Sequence, residues 1–330
     1  MANFSLDVID QTTAIERVPM KPGLIGSLGL FEVEVVATDA ITFDVRDNTL
    51  GLLDDHLRNV AQRNGDADQE FKVHTLAIPH YPIAKTIGRE KLAGLRAFGQ
   101  EGELMIASAV AGELTRQAER HDLQEEYLKA AMVLQGKVVT TNFGTIDMAT
   151  EFCVSRPTVT LTADVAADLR KATNTSKTNL KTGGRVAGYV LFAGVELFEA
   201  ILTSQAMKDA YSHTGVSPLV NELGVIAAGY TMFRFGNIDV VLYDDSFTDK
   251  KGVSVSVLAS AEGVLVPRTT LGRTFYRPSS TLSGLGKFGS KRFAQSYRDP
   301  KDRFVEVESE QSTLVVNEQF GATVLIKKGL

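Results

Sequence analysis

Hydrophobic and polar positions alternate with a period of two in two short runs near the start of the chain. Phe31, Val33 and Val35 alternate with Glu32 and Glu34, and Ile41, Phe43 and Val45 alternate with Thr42, Asp44 and Arg46. One apolar face every second residue marks a half-buried strand, and Thr38-Asp39 between the runs supplies a turn. A polar stretch from Asp54 to Glu70, with an Asn64-Gly65 turn inside it, precedes Phe71-Lys72-Val73-His74, where the alternation resumes. Residues 31–80 therefore read as long hairpin-type strands with a hydrophilic tip. Residues 1–22 lead into Pro19-Met20-Lys21-Pro22-Gly23 and read as an extended arm, because Pro and Gly disfavour helix.

The period then changes. From Glu103 to Gln135 the chain has no proline and one glycine, Gly112, and is rich in Ala, Leu, Glu and Gln. At ~1.5 Å per residue this predicts a helix about 50 Å long, ended by Gly136. A compact chain of this length has a diameter near ~50 Å, so the helix would cross the whole molecule. Its apolar stripe (Leu104, Ala107, Ala111, Leu114, Ala118) falters at His121-Asp122 and resumes at Leu128, Ala131 and Met132. The gap predicts a helix that bridges two bodies or is covered there by another chain.

Short strands follow at Lys137–Thr140, Thr145–Met148 and Phe152-Cys153-Val154, with Thr162 as N-cap of a short helix through Ala172. Residues 173–184 are polar apart from Leu180 and the closing glycines, and read as a hinge. Beyond it come a Val186–Phe192 strand, a helix from Val195 to about Tyr211, and strands at Ile238–Tyr243, Val253–Leu258 and Gly263–Val266. These predict a second α/β body over about 185–265. The closing strands, Arg303–Glu308, Thr313–Val316 and Thr323–Lys327, are expected to return and pair with the 137–154 region.

Composition excludes more than it nominates. The 330 residues are 44% hydrophobic and 23% charged, ordinary for a folded protein of one elaborated or two domains. The single cysteine, Cys153, excludes a disulfide framework or thiolate cluster, and its apolar neighbours predict a buried, inert thiol. No apolar run reaches the ~18 residues of a membrane helix, and the N-terminus lacks a secretory pattern. Thirty-five basic residues against 40 acidic give a net charge of −5, which does not suit a protein gripping nucleic acid over its whole surface.

The charge is uneven. Between Val264 and Arg303 lie nine basic residues and two acids, Asp299 and Asp302, a local balance of +7 that leaves −12 on the rest. An electrostatic joint between subunits is the favoured reading over a face turned to DNA phosphate, with the acidic stretch Asp44–Glu70 as complement. Gly284-Leu285-Gly286-Lys287-Phe288-Gly289 spells a dinucleotide fingerprint, but the preceding Tyr276–Ser280 is loop chemistry where a buried strand is needed. It reads as a flexible loop. Histidines 56, 74, 80, 121 and 213 form no i, i+4 pair, so neither a metal nor a cofactor is expected. No nucleophile elbow is present and no catalytic residue is nominated.

An arm, a projecting strand pair with a polar tip, a molecule-long helix and a hinge-linked α/β body, in that order, resemble the major capsid proteins of tailed phages. The likeness is to the lambda-type family, phage major capsid protein E. It is carried by Leu24–Leu30 running into Phe31, by the Phe71-to-Pro79 return strand with Ile87-Gly88-Arg89, and by the Glu126–Gly136 end of the long helix. Arg185–Phe192 with the Val195–Tyr211 helix, the Tyr230–Tyr243 strand pair and the closing Phe304–Ile326 strands complete it.

The resemblance implies an α+β, Hong Kong 97-type phage capsid fold. Residues 1–30 would be the N-terminal arm, 31–86 the extended loop, 87–184 a peripheral domain with its spine helix at 103–135, 185–265 the axial domain core, and 266–330 a basic loop and return strands. It implies a structural, non-enzymatic subunit assembling as hexamers and pentamers into an icosahedral shell around double-stranded DNA, located in the virion and assembled in the host cytoplasm. Implied partners are further copies of the chain, a separate scaffolding protein, a portal, a cement or decoration protein, and packaged DNA held by weak non-specific contact; no membrane and no cofactor are involved. Candidate intersubunit contacts are Phe31, Val33, Val35, Ile41, Phe43 and Val45 on the projecting strands, and Arg268, Arg273, Arg277, Lys287, Lys291 and Arg292 on the basic segment. Replacing Phe43 and Val45 by Asp is expected to leave a soluble subunit that does not assemble. The alternatives are an encapsulin-like cargo compartment and, from another class, a soluble α/β enzyme using residues 185–265.

Overall fold

The alternation at Phe31–Val35 forms a strand, but its partner is not the strand that follows it. The computed structural model describes residues 8–19, 23–45, 72–90, 102–180, 186–212, 230–248 and 251–329. The polar tip Asp54–Glu70 lies outside them. In chain order the elements are β1 (Val8–Asp10), α1 (Thr12–Glu16), α2 (Leu24–Ser27), β2 (Phe31–Val35), β3 (Ala40–Val45), β4 (Lys72–Ala77), β5 (His80–Gly88) and the long helix α3 (Gly102–Ala130). A π-helical turn, Ala131–Gln135, continues α3. Next come β6 (Lys137–Thr140), β7 (Gly144–Asp147), α4 (Met148–Glu151), β8 (Thr158–Thr160), α5 (Val165–Asn179), β9 (Tyr189–Ala193), α6 (Val195–Leu202) and α7 (Gln205–Ser212). The remainder is β10 (Met232–Phe235), β11 (Ile238–Leu242), β12 (Ser246–Thr248), β13 (Ser254–Ser256), β14 (Glu262–Pro267), β15 (Gly272–Tyr276), β16 (Phe293–Arg298), β17 (Phe304–Asn317) and β18 (Val324–Lys327).

Two six-stranded sheets organise these elements. One runs β1-β16-β17-β15-β2, with β5 also on β17; the other runs β10-β11-β9-β14-β18-β8. Strand β2 lies parallel to β15, while β3 pairs antiparallel with β4. The two alternating runs are thus in different sheets, not one hairpin. The closing strands do not pair with 137–154 either. Strands β6 and β7 pair with each other, and β18 inserts between β14 and β8. What reads as two separate strands at 303–316 is one strand, β17, because its polar centre Ser309–Thr313 is buried and paired rather than looped out.

Strand β9 is buried along its whole length because both faces of its sheet are covered. Leu191 and Ala193 face α5 and α6, meeting Leu169, Leu197 and Ile201. Val190 and Phe192 face the end of α3, meeting Ala130, Val133 and Leu134. Each such fully buried side chain contributes about 1.5–3 kcal/mol.

Other local readings are corrected by packing. Helix α5 is capped by Asp164, whose carboxylate accepts from Ala167 N–H at 3.0 Å; Thr162 instead bonds Asp168. The helix continues to Asn179 and takes in most of the expected hinge. Thr175 and Thr178 return their hydroxyls to carbonyls one turn back, and buried Ser176 donates to Ala322 O, so a polar composition conceals a helix. Asp147 caps the short α4, which displaces the expected Phe152–Val154 strand; Cys153 follows it in a turn at φ 52° and is exposed, not buried.

Candidate intersubunit surfaces

The gap in the stripe of α3 is filled by its own chain. Strand β17 crosses beneath the helix, and three polar side chains along the gap find partners there. Gln117 Nε2 donates to Val307 O at 3.1 Å, His121 Nε2 lies 2.9 Å from Ser309 Oγ, and Gln311 Nε2 donates to Glu125 Oε2 at 3.0 Å. The expected cover from a neighbouring subunit is therefore unnecessary at this point of the helix.

The basic segment is spent largely on the same seam and its surroundings. Arg292, 2% exposed, donates its Nη2 to Asp122 Oδ1, and Lys291 reaches Asp122 Oδ1 at 3.4 Å and Glu125 Oε2 at 3.3 Å. Burial by itself would push the Glu125 carboxyl up, but Lys129, 2.7 Å away, and Lys291 bring it below its ordinary value. Arg273 bridges Glu34 at 2.7 Å and Glu318 at 2.6 Å, Arg277 meets Asp39 at 2.6 Å, and Arg268 meets Asp239 at 2.6 Å. The acids answering the +7 segment are thus distributed through the fold. Most of the expected complement, Asp44–Glu70, falls outside the described residues. Of the six basic candidates, Lys287 is the one that stands exposed on a loop away from these pairs.

The apolar candidates divide similarly. Phe43 is 8% exposed and sits edge-on to Phe152 and Phe275, with ring centroids 5.9 and 5.7 Å apart. Ile41 and Phe31 are half-buried against the same cluster. Phe43 is therefore part of the subunit's own core, and an Asp there would unfold the chain rather than merely block assembly. Val33 is 66% exposed and Val35 47%. The side chain of Val45 is outside the described set.

Three apolar residues with no periodic pattern are the most exposed large hydrophobics described: Leu282 at 88%, Leu285 at 77% and Phe288 at 73%. Leu285 and Phe288 belong to the glycine-rich loop expected to be flexible, and Leu282 leads into it. The loop is pinned at both ends instead. Ser280 N–H and Oγ donate to the Glu310 carboxylate, and Gly289 packs so tightly that a Cβ would lie 2.1 Å from Tyr276 O. On another face, Leu123, Val139 and Phe143 edge a groove of about 620 Å³ between α3 and the β6–β7 hairpin. Among the described residues no three His, Cys, Asp or Glu side chains converge as a metal site, and no helix is long and apolar enough to cross a membrane.

Known proteins resemble this chain along nearly its whole length. A family model described as phage major capsid protein E matches residues 7–328. The major capsid protein of Pseudomonas phage KPP10 is 24% identical over 331 aligned positions, covering 94% of each chain. That of Salmonella phage Felix O1 is 23% identical, covering 91% of this chain and 90% of the relative. Among solved structures, a prophage protein of Escherichia coli CFT073 assigned as a capsid protein superposes with a TM-score of 0.66 at 13% identity, over 97% of this chain and 100% of that one. The mature capsid subunit of bacteriophage PhiM1 gives 0.52 at 12% identity, over 94% and 88%.

Proposed function

The chain belongs to the phage major capsid protein E family, and from that premise we propose how this subunit builds its shell. It is a structural phage capsid protein, not an enzyme, with the α+β Hong Kong 97-type fold. The family and the relatives' names favour a phage head over a cargo compartment or a soluble α/β enzyme.

Copies of the chain associate as hexamers and pentamers of an icosahedral shell around double-stranded DNA. The observation that carries this reading is surface apolarity that the subunit's own core does not need. Val33 and Val35 on β2, and Leu282, Leu285 and Phe288 on a pinned loop, stay exposed although four apolar clusters are already closed inside the chain. Neighbouring copies bury them. Residues 1–30 act as the arm, 31–86 as the extended loop with its end strands β2 and β5 anchored on β15 and β17, 87–184 as the peripheral domain, 185–265 as the axial core and 266–330 as basic loop and return strands. Arg268, Arg273, Arg277, Lys291 and Arg292 serve the joint indirectly, by fixing the strands that carry these surfaces, and Lys287 directly. A separate scaffold directs curvature, a portal occupies one vertex, and DNA is held weakly. Assembly takes place in the host cytoplasm.

Electron microscopy of the purified chain, alone and with its scaffold, tests the reading. Closed shells are expected, and V33D/V35D should leave a soluble subunit without shells. A small monodisperse oligomer under all conditions would overturn it.

A further inference from the structure

Gly23 leaves space for a side chain that arrives from a hundred residues away. Glu126, on α3, lies across the arm with Oε1 accepting from Ile25 N–H at 2.8 Å and Oε2 from Gly26 N–H at 2.9 Å. A Cβ on residue 23 would sit 2.4 Å from Glu126 Cγ and Cδ, so any side chain there has to push the carboxylate aside. The carboxylate is buried, which pushes its protonation upward; the two N–H groups and Lys129 oppose this, and Asp245 adds to it. Asp245 in turn accepts from Tyr230 Oη at 2.6 Å, and Tyr243 is the other ionisable neighbour on that side.

The arm touches the same helix twice. Ile15 is buried against Val110, Leu114 and Ala118, and Leu24 and Ile25 against Ala130, Val133 and Leu134. Between Leu114 and Ala130 the helix advances about 24 Å. Strand pairing fixes the two ends of this stretch, β1 on β16 and β2 on β15, but the apolar contacts on the helix between them are non-directional. The paired acceptor oxygens of one carboxylate tolerate only one register, because both N–H groups must meet it at once. Immediately after the clamp, Leu30 leads into β2, the strand carrying Val33 and Val35.

We propose that Glu126 is the positioning residue of shell assembly: a buried clamp that registers the end of the N-terminal arm on the long helix, and so fixes where the edge strand β2 presents Val33 and Val35 to a second copy of the chain. The assembly half of this proposal rests on the shell-subunit reading; the clamp itself does not.

The test is a double-mutant cycle on the full chain, read first in the unassembled subunit. E126A should speed amide exchange at Ile25 and Gly26 by about tenfold or more, given the strength of hydrogen bonds to a charged acceptor, while β9 and β14 keep their protection. G23A should do the same alone but add nothing in the E126A background, where its clash has gone. E126Q, which keeps one accepting oxygen, should fall between. Under conditions in which the wild-type chain closes shells, E126A should yield open or aberrant particles and E126Q a partial recovery. Additive effects of G23A and E126A would overturn the clamp, and normal shells from E126A would overturn its role in assembly. Failure of the wild-type chain to form shells would count against the shell reading, and the exchange data would still decide the clamp.

Discussion

His121 Nε2 and Ser309 Oγ lie 2.9 Å apart in the middle of the molecule, with both residues out of water. The pair joins the long helix to the long strand at the point where the helix has no apolar residue to offer. Around it Gln117, Asp122, Glu125, Lys129, Arg292 and Gln311 are also buried. Such a seam is rigid while every member is paired, and it is costly to leave half-satisfied.

The seam should weaken in acid. Burial, with Arg292 and His80 adding to it, pushes His121 down to about 4, against ~6.5 when unfolded. Between those values the unfolded chain binds a proton that the native one refuses, so stability is complete above about 6.5 and falls as pH drops toward 4. The loss is on the order of 3 kcal/mol at the lower end. His80, lowered chiefly by burial, shifts the balance in the same direction. Urea midpoints of the subunit at pH 7 and pH 5 should differ by clearly more for the wild-type chain than for H121N. Equal differences would exclude His121 as the source.

Arg156 should prove more important than its place in an irregular segment suggests. Its Nη1 and Nη2 donate to Leu134 O and Val133 O at 2.5 Å, its Nε donates to Thr323 Oγ1 at 3.0 Å, and it lies 4.5 Å from the centre of the Phe320 ring. It closes the carbonyls left open where the π-helical turn ends. R156A is expected to cost about 3 kcal/mol in chemical denaturation, the value of lost charged hydrogen bonds with buried carbonyls left bare. R156K should recover less than half, since an ammonium does not fork.

The elements that sequence made legible are those whose pattern is local. The span of α3, the strands β9, β11 and β14, and the arrest at Gly136 follow from periodicity and turn chemistry. Pairing was not legible, because β2 finds β15 some 240 residues away and nothing in Phe31–Val35 specifies it. The polar seam misled for a physical reason: His121 and Ser309 look solvent-facing until a partner across 188 residues satisfies both. Of the candidate surface, Val33 and Val35 were readable from alternation and prove exposed, whereas Phe43, on the same pattern, is taken up by Phe152 and Phe275. Leu282, Leu285 and Phe288 left no signal beyond being apolar in a glycine-rich loop.

That loop separates folding from assembly. L282S/L285S/F288S removes three side chains the subunit does not bury, so its unfolding midpoint should move by no more than about 0.5 kcal/mol in equivalent stability. Shell yield by sedimentation and electron microscopy should nonetheless collapse, since a neighbour loses that apolar contact. F43D should behave oppositely and abolish soluble, folded subunit. Normal shells from the triple variant would remove the loop from the interface.

Gly136 tests the junction between helix and core. It sits at φ +75°, donates its N–H to Ala131 O at 2.9 Å, and faces Phe320 so closely that a Cβ would lie 2.0 Å from a ring carbon. G136A therefore imposes two separable penalties. A left-handed backbone with a Cβ costs about 1–2 kcal/mol, and displacing a buried ring costs about 1–3 kcal/mol more. The single variant should lose the sum in equilibrium unfolding. Placed in an F320L background, the same substitution should lose only the backbone part, because the smaller side chain can withdraw. If G136A costs the same in both backgrounds, the ring contact is not what fixes the end of the long helix, and the positive φ alone accounts for the glycine.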